Sequence, residues 1–373
     1  MLTDQPNQEL KHLSSLYGGY WSKNVLDFCY MTNRYFPPRR LVDDLQARLP
    51  ELIGNYPSTN WHLSSLMASQ VGLTHNELVV SNGASELINA IVSRYVHRLA
   101  VPIPTFDEFV NRAKILDREV CPFTLPQGFD LDIDAFIEHT KSTGSDSALL
   151  IRPNNPTGNY LSKSDLIYFL DRMKNLNLIL VDESFLEFVD AETNPSALNL
   201  ITEYPNMVVL KSLSKNYGIP GVRLGYAATG NADRLAELRK DLPIWSINSF
   251  AQYFLEEMGD YLDEYAESCL LVKKATRNLV RGLAEVPYLH PYPTQGNFVL
   301  CEISHGFTGE EITEHLFEDS RFLVNNCGSK SGLHGNFIRI ACRTEEDNGR
   351  LVEALKRIGK LIEASKTDAI GAR

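Results

Sequence analysis

No stretch of this chain is apolar for long enough to span a bilayer, and its first residues, MLTDQPNQELKHLSS, have neither a basic start nor an apolar run. A cytoplasmic location is therefore the expectation, with no membrane partner. Basic charge is scarce too. Thirty-six Lys and Arg stand against 47 Asp and Glu, a net charge of -11, and no basic cluster is interleaved with aromatics. Such a chain repels polyanions, so small molecules rather than nucleic acids are the expected partners. The six cysteines (Cys29, Cys121, Cys269, Cys301, Cys327, Cys342) show no paired spacing. That argues against a disulfide framework or a zinc knuckle, and no metal site is expected. Low-complexity tracts, blocks of like charge and solenoid-length repeats are also missing.

What is present is an ordinary globular mix, 43% apolar and 22% charged over 373 residues, long enough for a large core and two domains. Residues 1–54 read as an irregular arm with a helical pattern from Arg39 that places Leu41, Leu45 and Leu49 on one side. A helix capped by Thr59 or Asn60 follows the NYPSTN turn. The chain then alternates short apolar strands (ELVVSN, RLAVPIP, REVCPFT, ALLIRP, LILVDES, MVVLKSL, VRLGYAA) with amphipathic helices. This pattern predicts an α/β domain over residues 55–285 with a mostly parallel sheet flanked by helices. A long helical stretch covers 246–284. Beyond Pro287, strands in QGNFVLCEIS, RFLVNNC and NFIRIAC with two helices predict a smaller α+β domain over 286–373, completed by the N-terminal arm.

In open α/β sheets ligands bind beyond the carboxyl ends of the strands, so the residues just after each strand carry the information. Gly83, Ala84 and Ser85 open a helix, where free N–H groups suit a phosphate, although an ordinary cap by Ser85 reads equally well. Phe106 is a ring at a strand end. Asn155 lies in an Asn-Pro-Thr-Gly turn after ALLIRP, and Asp182 ends the apolar run LILV, where a buried carboxylate needs a cationic partner. Lys215 and Arg223 follow the next strand in KSLSKNYGIPGVRLGY. Each alone has a bland reading as a surface or packing residue. The ordered set fits one cofactor, pyridoxal 5'-phosphate, which needs a lysine, a carboxylate at its pyridine nitrogen, a donor to its ring oxygen, a stacking ring and a phosphate cradle.

These residues identify a resemblance, over nearly the full length, to the fold-type I pyridoxal-phosphate enzymes of the class I/II aminotransferase superfamily. The likeness is greatest to its histidinol-phosphate aminotransferase and threonine-phosphate decarboxylase branch. The resemblance implies that Lys215 links covalently to the cofactor, that Asp182 faces the pyridine nitrogen and that Asn155 faces the ring hydroxyl. It implies a phosphate cradle of Gly83, Ala84 and Ser85 closed by Ser212, Ser214 and Arg223, with Phe106 stacking. Tyr56 would be lent to the partner subunit of a homodimer, and Arg339, in FIRIA, would grip the substrate α-carboxylate. Phe185 stands where most transaminases of the group have a tyrosine. YGGY resembles the HGGN of the decarboxylases with Tyr17 and Tyr20 substituted, and Asn33 matches their active-site asparagine.

Arg343 would share the face of Arg339 if the strand runs that far, offering a grip on a second anionic group such as phosphate or phosphonate. The breadth of the superfamily favours an aminotransferase acting between an amino acid and a 2-oxo acid. DESF, the IPG turn and PIWSIN lean towards decarboxylation of a phosphoamino acid. A third reading, a non-catalytic binding module on the same fold, is disfavoured by the retained Lys215.

Overall fold

The structure, a computed structural model, describes residues 5–190, 195–304 and 306–371. Seven strands form the central sheet, in the order Leu78–Asn82, Leu224–Ala228, Met207–Ser212, Leu178–Asp182, Ser147–Ile151, Arg98–Ile103 and Glu119–Thr124. Only Leu224–Ala228 runs against its neighbours; the remaining pairings are parallel. The strands read as unbroken apolar runs because alternate residues enter two different cores. Leu150, Val181 and Val209 face Phe136, Phe169 and Ala251, while Leu149, Leu180 and Val208 face Ile88, Phe109 and Leu238. The flanking helices begin at side-chain caps: Asp132 accepts from the Ala135 N–H at 3.0 Å, Ser162 from the Asp165 N–H at 3.1 Å and Asn231 from the Arg234 N–H at 3.0 Å. The mostly parallel α/β sheet expected from the alternating pattern is thus the observed architecture.

The C-terminal part carries an antiparallel sheet in the order Asn325–Asn326, Phe337–Ala341, Phe298–Ile303, Leu289–Pro291. The arm joins it, since Leu26 and Asp27 pair in parallel with Phe322 and Leu323, and Phe28 is buried against Val299, Ile340 and Leu355.

Three local expectations need correcting. The arm is not wholly irregular, because Gln5–Ser15 is a helix whose Leu10 and Leu13 pack on Phe317 and Leu323. The helix from Arg39 stops at Ala47 and a second begins at Leu49, with Pro50 in its first turn. Proline has no N–H to continue the first helix but suits a new start, so Leu41 is buried while Leu49 is exposed. The stretch 246–284 is two helices, Ser249–Glu257 and Leu262–Ala284, with a 3-10 turn at Met258–Tyr261.

Candidate active site

The register of the sheet brings the strand-end residues together. Ile151 pairs with Asp182, Asp182 with Leu210, Ser212 with Gly225 and Asn82 with Leu224, so the turns that carry Asn155, Asp182, Ser212, Gly83 and Arg223 meet at one edge. Lys215 lies on the short helix Leu213–Asn216 that leaves this edge.

At the Gly83 end, the helix Ala84–Tyr95 starts without a side-chain cap, leaving its first N–H groups open. Gly83 has φ 71°, and a Cβ there would lie 2.3 Å from Nη2 of Arg223, so only glycine lets the guanidinium lie across this turn. Arg223, itself left-handed at φ 64°, donates from Nη1 to the Pro220 carbonyl at 3.3 Å and to Ser214 Oγ at 3.5 Å. Gly225 is equally constrained, since a Cβ would meet the Ala84 nitrogen at 2.7 Å. Open N–H groups, an arginine and a serine hydroxyl therefore converge on one small volume, the donor set a phosphate requires.

At the other end, Asp182 is buried. Its Oδ1 accepts from the Ser184 N–H at 2.9 Å and the Ser184 hydroxyl at 2.6 Å, while its second oxygen has no hydrogen-bond partner among the described residues. Burial pushes this carboxyl up from the usual range; the two Ser184 donors and the positive Lys215 pull it back. Lys215 forms no ion pair among the described residues, and burial, with Arg339 and Arg223 nearby, lowers its amine to about 8. Asn155 is buried. Its Oδ1 accepts from Nη1 of Arg339 at 2.7 Å, which turns the amide nitrogen, unpartnered among the described residues, the other way.

Arg339 comes from the antiparallel sheet, opposite Leu300 and Asn325. Besides Asn155 it donates from Nη2 to the Cys29 carbonyl at 2.7 Å, and its buried Nε has no partner among the described residues. Phe185 is buried edge-on against Phe298, with centroids 5.2 Å apart, and offers no hydroxyl. Phe106 is more open and meets Phe109 edge-on at 6.2 Å. The Ser212 N–H donates to Ser184 Oγ at 3.0 Å.

Arg343 is placed differently from the expectation, and Asn33 and Tyr56 make contacts of their own. The strand of Arg339 ends at Ala341, so Arg343 does not share its face; it bonds Asp347 at 3.0 Å and the Asp27 carbonyl at 2.9 Å. The Asn33 amide donates to the Asn216 carbonyl at 2.9 Å and Ser268 Oγ at 2.8 Å, while its backbone N–H reaches the Lys215 carbonyl at 2.8 Å. Asn33 therefore braces the lysine helix. Tyr56 is 78% exposed, stacks on Trp245 at 4.5 Å and has no hydrogen bond to the other site residues. Ser184 was not foreseen, although its hydroxyl in the DESF run was the available signal.

The unpaired amine, the half-satisfied buried carboxylate, the free amide and the anion cradle fit pyridoxal phosphate. The comparisons with known proteins agree. Residues 23–355 match the family model "Aminotransferase class I and II", and the chain belongs to that family. It is 33% identical over 354 residues to the CMP-5'-(3-aminopropyl)phosphonate synthase of Streptomyces rubellomurinus, covering 95% of this chain and 56% of that protein. This chain thus spans little more than half of that relative. It is 31% identical over 352 residues to the L-serine phosphate decarboxylase of Sulfurospirillum multivorans, covering 90% and 88% of the two chains. The solved structure of a decarboxylase from Sulfurospirillum multivorans superposes with a TM-score of 0.86 at 28% identity, over 95% of this chain and 97% of that one. The fold is that of the fold-type I enzymes and the cofactor is pyridoxal phosphate.

Proposed function

Starting from a pyridoxal-phosphate enzyme of this family, we propose that the chain removes the α-carboxylate of an amino acid bearing a phosphate or phosphonate group. The observation that carries the reading is the likeness to the L-serine phosphate decarboxylase of Sulfurospirillum multivorans over 90% and 88% of the two chains, and the name of the phosphonate synthase supports the substrate class. Arg339 keeps donors for the substrate carboxylate: its two Nη groups make one hydrogen bond each, to Asn155 and to the Cys29 carbonyl, and its Nε has no partner among the described residues.

When bound, pyridoxal phosphate supplies an electron sink for the bond that breaks at the α-carbon. The protein's own residues do the rest. Lys215 would anchor the cofactor and would supply the proton that the α-carbon takes up in place of carbon dioxide. Asp182 would keep a proton on the ring nitrogen, and Asn155 would be the donor to the ring oxygen, because Phe185 has no hydroxyl to share that task. The N–H groups of Gly83, Ala84 and Ser85, the hydroxyls of Ser212 and Ser214 and the Arg223 guanidinium would hold the phosphate, and Phe106 would cover the ring. Exposed Tyr56 would complete the cradle of the partner subunit in a homodimer.

Transamination is the second reading. It is favoured by the lowered Lys215 amine, which at about 8 supplies the neutral base needed to take a proton from the α-carbon. A panel of amino acids and phosphoamino acids, each with and without 2-oxoglutarate, separates the two. Carbon dioxide release that does not consume 2-oxoglutarate is the expected result; consumption of the keto acid in step with product would overturn it.

A further inference from the structure

One hydroxyl ties the two halves of the cofactor site together. Ser184 Oγ donates to Asp182 Oδ1 at 2.6 Å and accepts the N–H of Ser212 at 3.0 Å. Ser212 is the last residue of its strand and the cap of the short helix that carries Lys215. The Ser184 backbone N–H adds a second donor to the same Asp182 oxygen at 2.9 Å. Ser184 is itself buried, so water does not compete for these bonds. Each of these three hydrogen bonds reaches a residue of the site.

We propose that Ser184 is a positioning residue: it fixes the Asp182 carboxylate with one oxygen held and the other turned to the cofactor's ring nitrogen, while anchoring the start of the lysine helix. The geometry leaves little alternative. With two donors on Oδ1, the carboxylate cannot rotate without breaking a charge-assisted bond, so the unpartnered oxygen keeps one direction. An alanine here would leave Asp182 one donor and take away the acceptor of the part-buried Ser212 N–H at a single stroke.

There is also an electrostatic consequence. Burial favours the neutral acid at Asp182, whereas the Ser184 donors favour the carboxylate. The anion is the form that holds a proton on the ring nitrogen. Without the hydroxyl, Asp182 would take up its own proton at a higher pH, and cofactor affinity would begin to fall at that higher pH as the solution is acidified. The inference rests on Asp182 facing the ring nitrogen, and the test must separate the two ideas.

The experiment is an equilibrium titration of apoenzyme with pyridoxal phosphate across a pH series, for wild type, Ser184→Ala, Ser184→Cys and Asp182→Asn. Cysteine keeps the shape of serine but is a weak donor, which separates hydrogen bonding from packing and gives a second variant should alanine not fold. Both Ser184 variants are expected to bind about tenfold more weakly or worse at neutral pH, with the acid-side loss of affinity shifted to higher pH. Asp182→Asn should bind weakly with no acid-side transition. Ser184→Cys binding like wild type with an unshifted profile would overturn the positioning role. Wild-type affinity in Asp182→Asn would instead remove the premise about the ring nitrogen, and the proposal with it.

Discussion

Neighbouring strand ends carry buried charges that are treated in opposite ways. Arg152 and Glu183 face each other at 2.8 Å with side chains 0% and 1% exposed. Arg152 also donates to the Leu161 carbonyl at 2.9 Å and the Tyr160 hydroxyl at 2.8 Å, while Glu183 accepts from Ala197 N–H at 2.9 Å and Ser196 Oγ at 2.6 Å. Close by, Asp182 has an oxygen and Lys215 an amine without a partner among the described residues. Burying a charge without a partner is costly, so the closed pair needs nothing further and the open one awaits a ligand. Depth and charge alone do not mark a site here; incomplete satisfaction does.

The largest break in this comparison is Lys215→Ala. It should abolish both the visible absorbance band of the bound cofactor and turnover, while the apoenzyme loses no stability at neutral pH by denaturant unfolding. The sign follows from the lowered amine. Protonated Lys215 is disfavoured in the folded state, so it weakens the fold below about 8, and that penalty fades as pH rises towards its ordinary value. For the same reason, capture of pyridoxal phosphate by wild-type apoenzyme should accelerate with a midpoint near 8. A midpoint near that of ordinary lysine would show that the amine is not perturbed.

The closed pair should respond in the opposite sense. Glu183→Ala leaves Arg152 buried without its anion, and the fold should lose about 3–5 kcal/mol in urea unfolding. Cofactor added in excess would recover part of that loss by mass action but would not restore the pair. A Glu183→Ala protein as stable as wild type would mean that Arg152 finds water or another acceptor, and the contrast between closed and open charges would lose its force.

The strand-end residues were legible in the sequence because the α/β rule places ligands there without any knowledge of distant contacts. Asp182, Asn155, Lys215, Gly83 and Arg223 come together through sheet register alone. What was not legible depends on long-range packing. The contact of Arg339 with Asn155 joins residues 184 apart in sequence, from two different sheets. Leu10 and Leu13 define a helix only because Phe317 and Leu323 receive them. Ser184 reads as a small polar residue until the next strand supplies the Ser212 N–H at 3.0 Å.

Arg343 gives the smallest effect and the sharpest test of how completeness separates structure from function. It was expected to grip a second anion, yet its strand ends two residues earlier and its guanidinium bonds Asp347 and the Asp27 carbonyl. The Asn348 side chain holds its backbone N–H at 2.9 Å, fixing the turn into the C-terminal helix. Arg343→Gln should therefore cost on the order of 1 kcal/mol of stability, the scale of a partly exposed charged hydrogen bond. KM for a phosphoamino acid should stay unchanged, with kcat unaffected. A selective rise in KM for phosphorylated over unphosphorylated substrates would show that Arg343 leaves Asp347 for the ligand, in which case a charge satisfied in the structure can still serve the reaction.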